Sequence, residues 1–231
     1  MADYMDDEVN FGDWSSLDIN VSRRVPICLV LDRSGSMDEK DGSNLTKIEE
    51  LNKNLKDFLD YVRGNAKASR ICDICIISFG GVDEVNVVCG YTNIKDLKYT
   101  PLTPYGRTPM GAAVNKAMEL LKLRRNYYRS NDIEHYKPIM LIMTDGLPTD
   151  NYMAAAVEFS RMVQAKEVKV FPVGIGKNFN KEVLRKFSPL VEPKTITSAE
   201  NFSKLFKLLS ASSSNPNDDS LDKWFQDEAW Y

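Results

Sequence analysis

The sequence predicts an α/β fold in which a doubly wound, mostly parallel sheet has helices on both faces. Short apolar runs alternate along the chain with stretches whose apolar residues recur every three or four positions, as strands and helices do in this fold class. The apolar runs are nearly continuous, which is typical of strands buried on both faces. With 231 residues, the chain is long enough for one large domain of this kind or two small ones.

The first half of the chain opens with a strand over residues 25–31 (VPICLVL), which ends in a polar loop. A helix is predicted over about 45–62, because its apolar residues lie three and four positions apart. Strands at 71–79 and 84–91 are separated by a short Gly-Gly turn, and that spacing predicts an antiparallel hairpin.

The second half begins with a helix over about 110–125. Pro109 suits the start of this helix, because the first helical turn does not need the N–H that proline lacks. The remaining elements are predicted as a strand at 139–143, a helix near 152–165, a strand at 168–173, a short helix near 181–187, a short strand around Thr195 and a helix at 199–209.

The net charge of −3 is an average over three unlike parts of the chain. Residues 1–24 hold six acidic residues against two arginines and sum to −4, and residues 213–231 hold five against one lysine and also sum to −4. Residues 25–212 must therefore carry +5. We divide the chain accordingly into an acidic N-terminal segment (1–24), a mildly basic domain (25–212) and an acidic, aromatic C-terminal tail (213–231).

The composition argues against several function classes. The overall charge does not indicate a strongly basic nucleic-acid-binding protein, so nucleic acid is an unlikely partner. The apolar runs are far shorter than the ~18 residues that a membrane-spanning helix needs, and the acidic N-terminus lacks the apolar region of a secretory signal. The four cysteines, in or beside strand-like runs, are interpreted as small buried hydrophobes. We therefore expect a cytoplasmic protein that does not contact a membrane.

Several motifs are interpreted as structural. Cys72 and Cys75 would point to opposite faces of a strand, and the single His135 lies in a polar loop. The Gly-Ile-Gly sequence at 174–176 lacks the rest of a dinucleotide-binding loop. Residues 122–129 interleave basic side chains with tyrosines and are interpreted as a solvated helix end, with docking of an acidic segment or nucleic acid as alternatives.

Five oxygen-bearing side chains follow two predicted strands or open a predicted helix: Asp32, Ser34, Ser36, Thr108 and Asp145. In a doubly wound sheet, loops at the carboxyl ends of strands meet at the topological switch point, so these distant residues can converge. Two carboxylates and three hydroxyls, with no histidine or cysteine, favour Mg²⁺, Mn²⁺ or Ca²⁺ over zinc or copper.

The motifs D-R-S-G-S-M at 32–37, T-P-M-G at 108–111 and T-D-G at 144–146 resemble the metal-ion-dependent adhesion site of von Willebrand factor A domains. The resemblance covers about 25–212, and the spacing is similar to bacterial TerY/YegL-like A domains of the tellurite-resistance and stress type. It implies a Rossmann-like fold with one antiparallel edge strand.

The resemblance also implies ligand roles. Ser34, Ser36 and Thr108 would coordinate the ion, and Asp32 and Asp145 would bind it directly or through water. This sequence departs from the common Gly-Gly-Thr pattern at Arg107, which adds a cation beside the site.

From this site we expect a non-enzymatic module that binds a protein partner. Two carboxylates roughly cancel the charge of a divalent cation, so an open coordination position keeps Lewis acidity that an Asp or Glu of a partner can satisfy. The resemblance implies a bacterial stress-response or defence system, with kinase-like or phosphatase-like proteins as partners. The alternatives are a Mg²⁺- or Mn²⁺-dependent phosphohydrolase using the same oxygen cluster, disfavoured because no general base is apparent, and a structural scaffold subunit.

The C-terminal tail follows a linker-like stretch at 211–220 and carries four aromatic residues. Trp224, Phe225 and the last two residues either pack on the domain or form a recognition segment for another protein. A third hypothesis is self-association, in which Asp227 or Glu228 fills the metal site of a second copy.

Overall fold

The computed structural model describes residues 22–40, 44–81, 84–177 and 179–226 of the chain. In this part the strands are Val25–Asp32 (β1), Cys72–Gly80 (β2), Glu84–Asn93 (β3), Ile139–Thr144 (β4), Lys169–Ile175 (β5) and Lys194–Ile196 (β6). The α-helices are Lys47–Gly64 (α1), Ala68–Ile71 (α2), Met110–Ser130 (α3), Met153–Gln164 (α4), Lys181–Phe187 (α5), Ala199–Ser214 (α6) and Ser220–Gln226 (α7). A short 3-10 helix covers Gly35–Asp38.

The strands form one sheet in the order β3-β2-β1-β4-β5-β6. Edge strand β3 runs antiparallel to β2, and the other neighbouring strands pair in parallel. The predicted fold class and the predicted hairpin are therefore confirmed. Because β1 lies between β2 and β4, the strand order reverses beside it, and this is where doubly wound folds bind their ligands.

Side chains of β1 alternate between two apolar cores, one on each face of the sheet. Ile27, Leu29 and Leu31 pack in the core that contains α1 and α6, whereas Cys28 and Val30 pack in the core that contains α3 and α4. All eight residues of the strand are buried. Burial on both faces explains why the run is continuously apolar rather than alternating.

The last long helix, α6, continues to Ser214, five residues beyond the predicted end. Ser210 Oγ donates to the Phe206 carbonyl over 2.8 Å, and Ser213 Oγ donates to the Ser210 carbonyl over 2.7 Å. These hydroxyls satisfy their hydrogen-bonding capacity on the helix's own backbone. The serine-rich start of the stretch that resembles a linker is therefore helical.

The first part of the C-terminal tail packs on the domain as α7. Leu221, Trp224 and Phe225 are buried in the same core as α1 and α6, and the Phe225 ring lies 4.9 Å from that of Phe171 in β5. Asp222 adds an ion pair of 2.7 Å with Lys169. Of the hypotheses for the tail, packing on the domain is the one that the structure shows for residues 220–226.

Several sequence-based hypotheses fall outside the described residues. These are the acidic N-terminal segment up to residue 21, the placement of Trp230 and Tyr231, and the self-association through Asp227 or Glu228.

Two of the motifs interpreted as structural have packing roles. Cys72 lies in the core with α1, and Cys75 lies in the opposite core beside Cys28, as their spacing predicts. A Cβ on Gly174 would come within 2.2 Å of the Phe179 ring, so the first glycine of Gly-Ile-Gly leaves room for an aromatic ring on β5.

The basic, tyrosine-rich end of α3 is tied into the fold by a buried carboxylate. Arg124 Nη2 lies 2.6 Å from Asp73 Oδ2, and the Tyr128 hydroxyl donates to the same oxygen. The Arg124 guanidinium also lies over the rings of Tyr127 and Tyr128, 4.8 Å from each centroid. His135 stacks against Tyr128, with ring centroids 5.1 Å apart. Arg124 and Tyr128 therefore stabilise the α3–β2 contact rather than forming a free basic surface.

Within the described residues, none of the helices is both long and apolar enough to cross a lipid bilayer.

Candidate metal centre

The first predicted ligand, Asp32, ends β1 with a fully buried carboxylate that is held from two sides. Oδ1 accepts a hydrogen bond from the Ser34 backbone N–H over 2.7 Å. Oδ2 accepts one from the Thr144 hydroxyl, at the end of β4, over 2.6 Å. The side chain therefore joins the carboxyl ends of the two central strands.

Burial raises the pKa of Asp32 to about 6, because removal from water disfavours the charged carboxylate. The hydrogen bonds from Ser34 and Thr144 oppose this rise, and the nearby Asp145 carboxylate adds to it. A bound cation would offset this unfavourable burial of charge.

The loop after β1 turns into the 3-10 helix and connects two serine hydroxyls to the second predicted carboxylate, that of Asp145, through Ser36. Ser36 Oγ donates to Asp145 Oδ1 over 2.7 Å, and Ser34 Oγ lies 3.2 Å from Ser36 Oγ. Asp145 follows β4 directly and is almost completely buried. Four of the five predicted ligands thus form one connected cluster at the ends of β1 and β4.

The fifth predicted ligand, Thr108, comes from the loop before α3 and is also buried. Its backbone N–H donates to Thr149 Oγ1 over 3.1 Å, and its carbonyl accepts from the Thr149 N–H over 3.0 Å. A Cβ placed on Gly146 would lie 3.7 Å from Thr108 Oγ1 and 3.9 Å from Ser36 Oγ. Both hydroxyls therefore border the same point beside Gly146, and all five predicted residues are brought together.

A backbone ladder attaches the Thr108 loop to the rest of the site. Tyr105 N–H donates to the Arg33 carbonyl over 2.7 Å, and Gly35 N–H donates to the Gly106 carbonyl over 3.0 Å. Gly106 has a φ of +71°, and a Cβ there would lie 2.2 Å from the Gly81 carbonyl oxygen. Only glycine fits this position. Its neighbour Arg107 has an exposed side chain beside the site.

Lys47, the first residue of α1, also belongs to the cluster, although the sequence analysis did not include it. Its ammonium lies 3.0 Å from Asp145 Oδ2 and 3.0 Å from Glu39 Oε2, and the side chain is only 6% exposed. Burial opposes its charge, but the bonds to Asp145 and Glu39 outweigh burial and raise the pKa of Lys47. The sequence did contain a signal for this role, because Lys47 lies four residues before Leu51 and therefore on the apolar face of α1.

Asp150 is a second missed residue, and it anchors the helix that follows Thr108. Its Oδ1 accepts from the Gly111 N–H over 3.1 Å, and its Oδ2 accepts from the Ala112 N–H over 2.8 Å. A carboxylate at this point satisfies orphan N–H groups and complements the helix dipole. The start of α3 is thereby held against the loop that follows Asp145.

The donor set fits a hard divalent cation, because every potential ligand is a carboxylate or hydroxyl oxygen. Across the described ranges, no three or more His, Cys, Asp and Glu residues group together as a metal site. Among the described residues, the two carboxylates and the three hydroxyls of the cluster would share the coordination of the ion.

Solved structures from several organisms share this fold. Proximal thread matrix protein 1 from the mussel byssus, with a zinc-occupied MIDAS motif, superposes with a TM-score of 0.58 and 19% identity over 84% of this chain and 46% of its own. The von Willebrand factor type A structure from Catenulispora acidiphila gives 0.58 and 18% over 84% and 43%. Manganese-loaded TRAP protein from Plasmodium vivax gives 0.54 and 18% over 78% and 71%.

Sequence identities this low show that the fold is shared and nothing more. This chain spans about half the length of the byssus structures. A comparison with curated proteins finds no match. The family model for the von Willebrand factor type A domain matches residues 27–211, which include all five candidate ligands. The chain belongs to the von Willebrand factor type A domain family.

Proposed function

We propose that this A domain is a metal-dependent protein-binding module whose metal ligands are Asp32, Ser34, Ser36, Thr108 and Asp145. The observation that carries the proposal is the buried cluster in which Ser34 and Ser36 link the two carboxylates at the switch point of the sheet. Asp32 and Asp145 would supply the negative charge, and the hydroxyls would supply neutral oxygen atoms. A bound divalent cation supplies Lewis acidity for a carboxylate oxygen of a partner.

We propose Mg²⁺ as the resident ion, with Mn²⁺ or Ca²⁺ as substitutes. Oxygen-only donor sets suit these cations, and two carboxylates leave little excess protein charge. The byssus structure with zinc and the Plasmodium structure with manganese support a divalent cation in this family.

The surface beside the cluster suggests what kind of partner segment would bind. Tyr105 and Leu147 leave 57% and 56% of their surfaces exposed, in the loops that precede Thr108 and follow Asp145. The exposed Arg107 adds positive charge to the same loop. This combination favours an Asp or Glu flanked by apolar side chains.

We further propose that the module is cytoplasmic and acts in a bacterial stress-response or defence system, with a kinase-like or phosphatase-like partner. The similarity of its motifs to TerY-like A domains supports this setting.

We propose that the module is not an enzyme. Within the described cluster, Asp32 is bonded to Ser34 and Thr144, and Asp145 is bonded to Ser36 and Lys47. Each carboxylate is therefore engaged, and neither is positioned as a general base. Mn²⁺-dependent hydrolysis of a generic phosphoester that disappears in Asp145→Ala would overturn this view in favour of a phosphohydrolase.

The test is affinity capture of partners with Mg²⁺ and again with EDTA, using wild type and Asp32→Ala. We expect one set of partners to be retained only by wild type with Mg²⁺. Asp96→Ala, at an exposed aspartate outside the cluster, is the matched control and should behave as wild type. Capture that survives both EDTA and Asp32→Ala would indicate a structural scaffold instead.

A further inference from the structure

A buried lysine shares the second carboxylate of the site. Lys47 Nζ lies 3.0 Å from Asp145 Oδ2, while Ser36 Oγ occupies Oδ1 of the same carboxylate. Nζ also lies 3.4 Å from the Ser36 carbonyl oxygen. The ammonium is therefore a fixed positive charge in direct contact with the cluster, and the first turn of α1 holds it there.

The position of Lys47 is fixed by the start of α1. Thr46 caps the helix: its hydroxyl accepts from the Glu49 N–H, and the Glu49 side chain accepts from the Thr46 N–H. The Lys47 backbone N–H donates to the Glu39 carbonyl over 2.9 Å. With backbone and ammonium both bonded, the charge cannot easily move away when another cation approaches.

The charge of the cluster differs from that of two carboxylates alone. Asp32 and Asp145 contribute two negative charges, and Lys47 cancels one of them. Glu39 is 59% exposed, so water screens its charge much more than that of Asp145. A divalent cation held by this set would leave about one positive charge uncompensated, which a carboxylate from outside can neutralise.

We propose that Lys47 makes tight metal binding depend on an acidic partner. This inference rests on the proposed function. The ammonium repels the divalent cation and weakens its binding to the protein alone. It also increases the gain when a partner carboxylate arrives, so the cation and the partner bind cooperatively.

The experiment measures Mn²⁺ affinity by calorimetry in chloride and in acetate at equal ionic strength. The variants are Lys47→Met, which keeps an unbranched apolar stem, and Lys53→Met, which removes the same charge from an exposed position of α1. In chloride, Lys47→Met should bind Mn²⁺ about tenfold or more tightly than wild type, since a unit charge near a divalent ion is removed. Lys53→Met should match wild type. Acetate should strengthen Mn²⁺ binding to wild type more than to Lys47→Met.

Glu39→Gln provides a second test that does not disturb a buried residue. It removes the exposed partner of Lys47, so Mn²⁺ affinity should fall below that of wild type. Circular dichroism and thermal unfolding establish that each variant is folded.

The two possible failures are distinguishable. If Asp32→Ala loses Mn²⁺ binding but Lys47→Met and Glu39→Gln bind like wild type, the role of Lys47 is wrong and the metal site stands. Equal strengthening by acetate in wild type and Lys47→Met would also overturn the cooperative role. If wild type and Asp32→Ala bind Mn²⁺ equally, the proposed function fails and the inference fails with it.

Discussion

The Thr144 hydroxyl at the end of β4 donates a 2.6 Å hydrogen bond to the buried carboxylate of Asp32 at the end of β1. This bond joins the two strands on either side of the switch point through side chains, beyond their backbone pairing. It also orients Asp32 toward the loop that carries Ser34 and Ser36.

Replacing Thr144 with Val should destabilise the protein by about 1–3 kcal/mol, because a buried carboxylate oxygen loses its donor. Urea denaturation in EDTA measures this change. Thr144→Ser, which keeps the hydroxyl, is the control and should lose much less. Equal stability of wild type and Thr144→Val would contradict the importance of the bond.

The raised pKa of Asp32 predicts a pH-dependent stability of the protein in EDTA. In the folded state the Asp32 carboxyl has a pKa of about 6, whereas the ordinary pKa of an aspartate is 3.8. The stabilisation of the folded state by this group is therefore fully present below pH 3.8. It is lost as the pH rises through 6, and the loss totals about 3 kcal/mol. Added Mg²⁺ favours the ionised form, so its stabilising effect should grow over the same range.

A carboxylate whose pKa is lowered in the folded state makes stability depend on pH in the opposite direction. The pKa of Glu192 is lowered to about 2 by the hydrogen bonds from Arg185, so its contribution is lost in acid. The test therefore uses the difference between wild type and Asp32→Asn in urea denaturation from pH 4 to 7. A difference that does not change with pH would contradict the assignment to Asp32.

Removing the exposed apolar side chains beside the site should separate partner binding from metal binding. In Tyr105→Ala and Leu147→Ala, we expect Mn²⁺ affinity to stay unchanged and capture of the metal-dependent partner to weaken, since apolar contact area is lost. Leu190→Ala, which is 60% exposed after α5, is the matched control. Unchanged capture by both variants would mean that the partner does not use this surface.

Truncating the aromatic side chain of Phe225 should show that α7 is part of the domain. Phe225 is buried against Phe171, so Phe225→Ala should lower the free energy of unfolding by about 3–5 kcal/mol. Lys223→Ala, at an exposed position of the same helix, should have little effect. Urea unfolding of both variants provides the comparison, and equal curves would indicate that α7 contributes no stability.

The elements that sequence predicted well are those whose pattern is local. The buried strand β1 has an uninterrupted apolar run, and the chemistry of Asp32, Ser34 and Ser36 is visible at short spacing directly after it. The site also depends on Thr108 and Asp145, which the order of strands at the switch point brings close to that loop.

The elements that sequence did not predict depend on partners far along the chain. The sequence places Lys47 on the apolar face of α1, but its role depends on the 3.0 Å contact with Asp145, which lies 98 residues further along the chain. Asp150 caps a helix that begins 40 residues earlier, at Met110. The end of α6 was missed because serine favours turns on its own, and only its back-bonding and burial keep it helical.

The adjacent positions 106 and 107 differ in the side chains that the structure can accept. Any side chain at 106 would collide with the Gly81 backbone and break the ladder that holds the Thr108 loop. The side chain at 107 points into solvent, so its charge can change without rebuilding the cluster. One substitution at position 107 would therefore change the charge beside the candidate site and leave the five candidate ligands in place, so this position offers an engineer a way to alter the surface without altering the cluster.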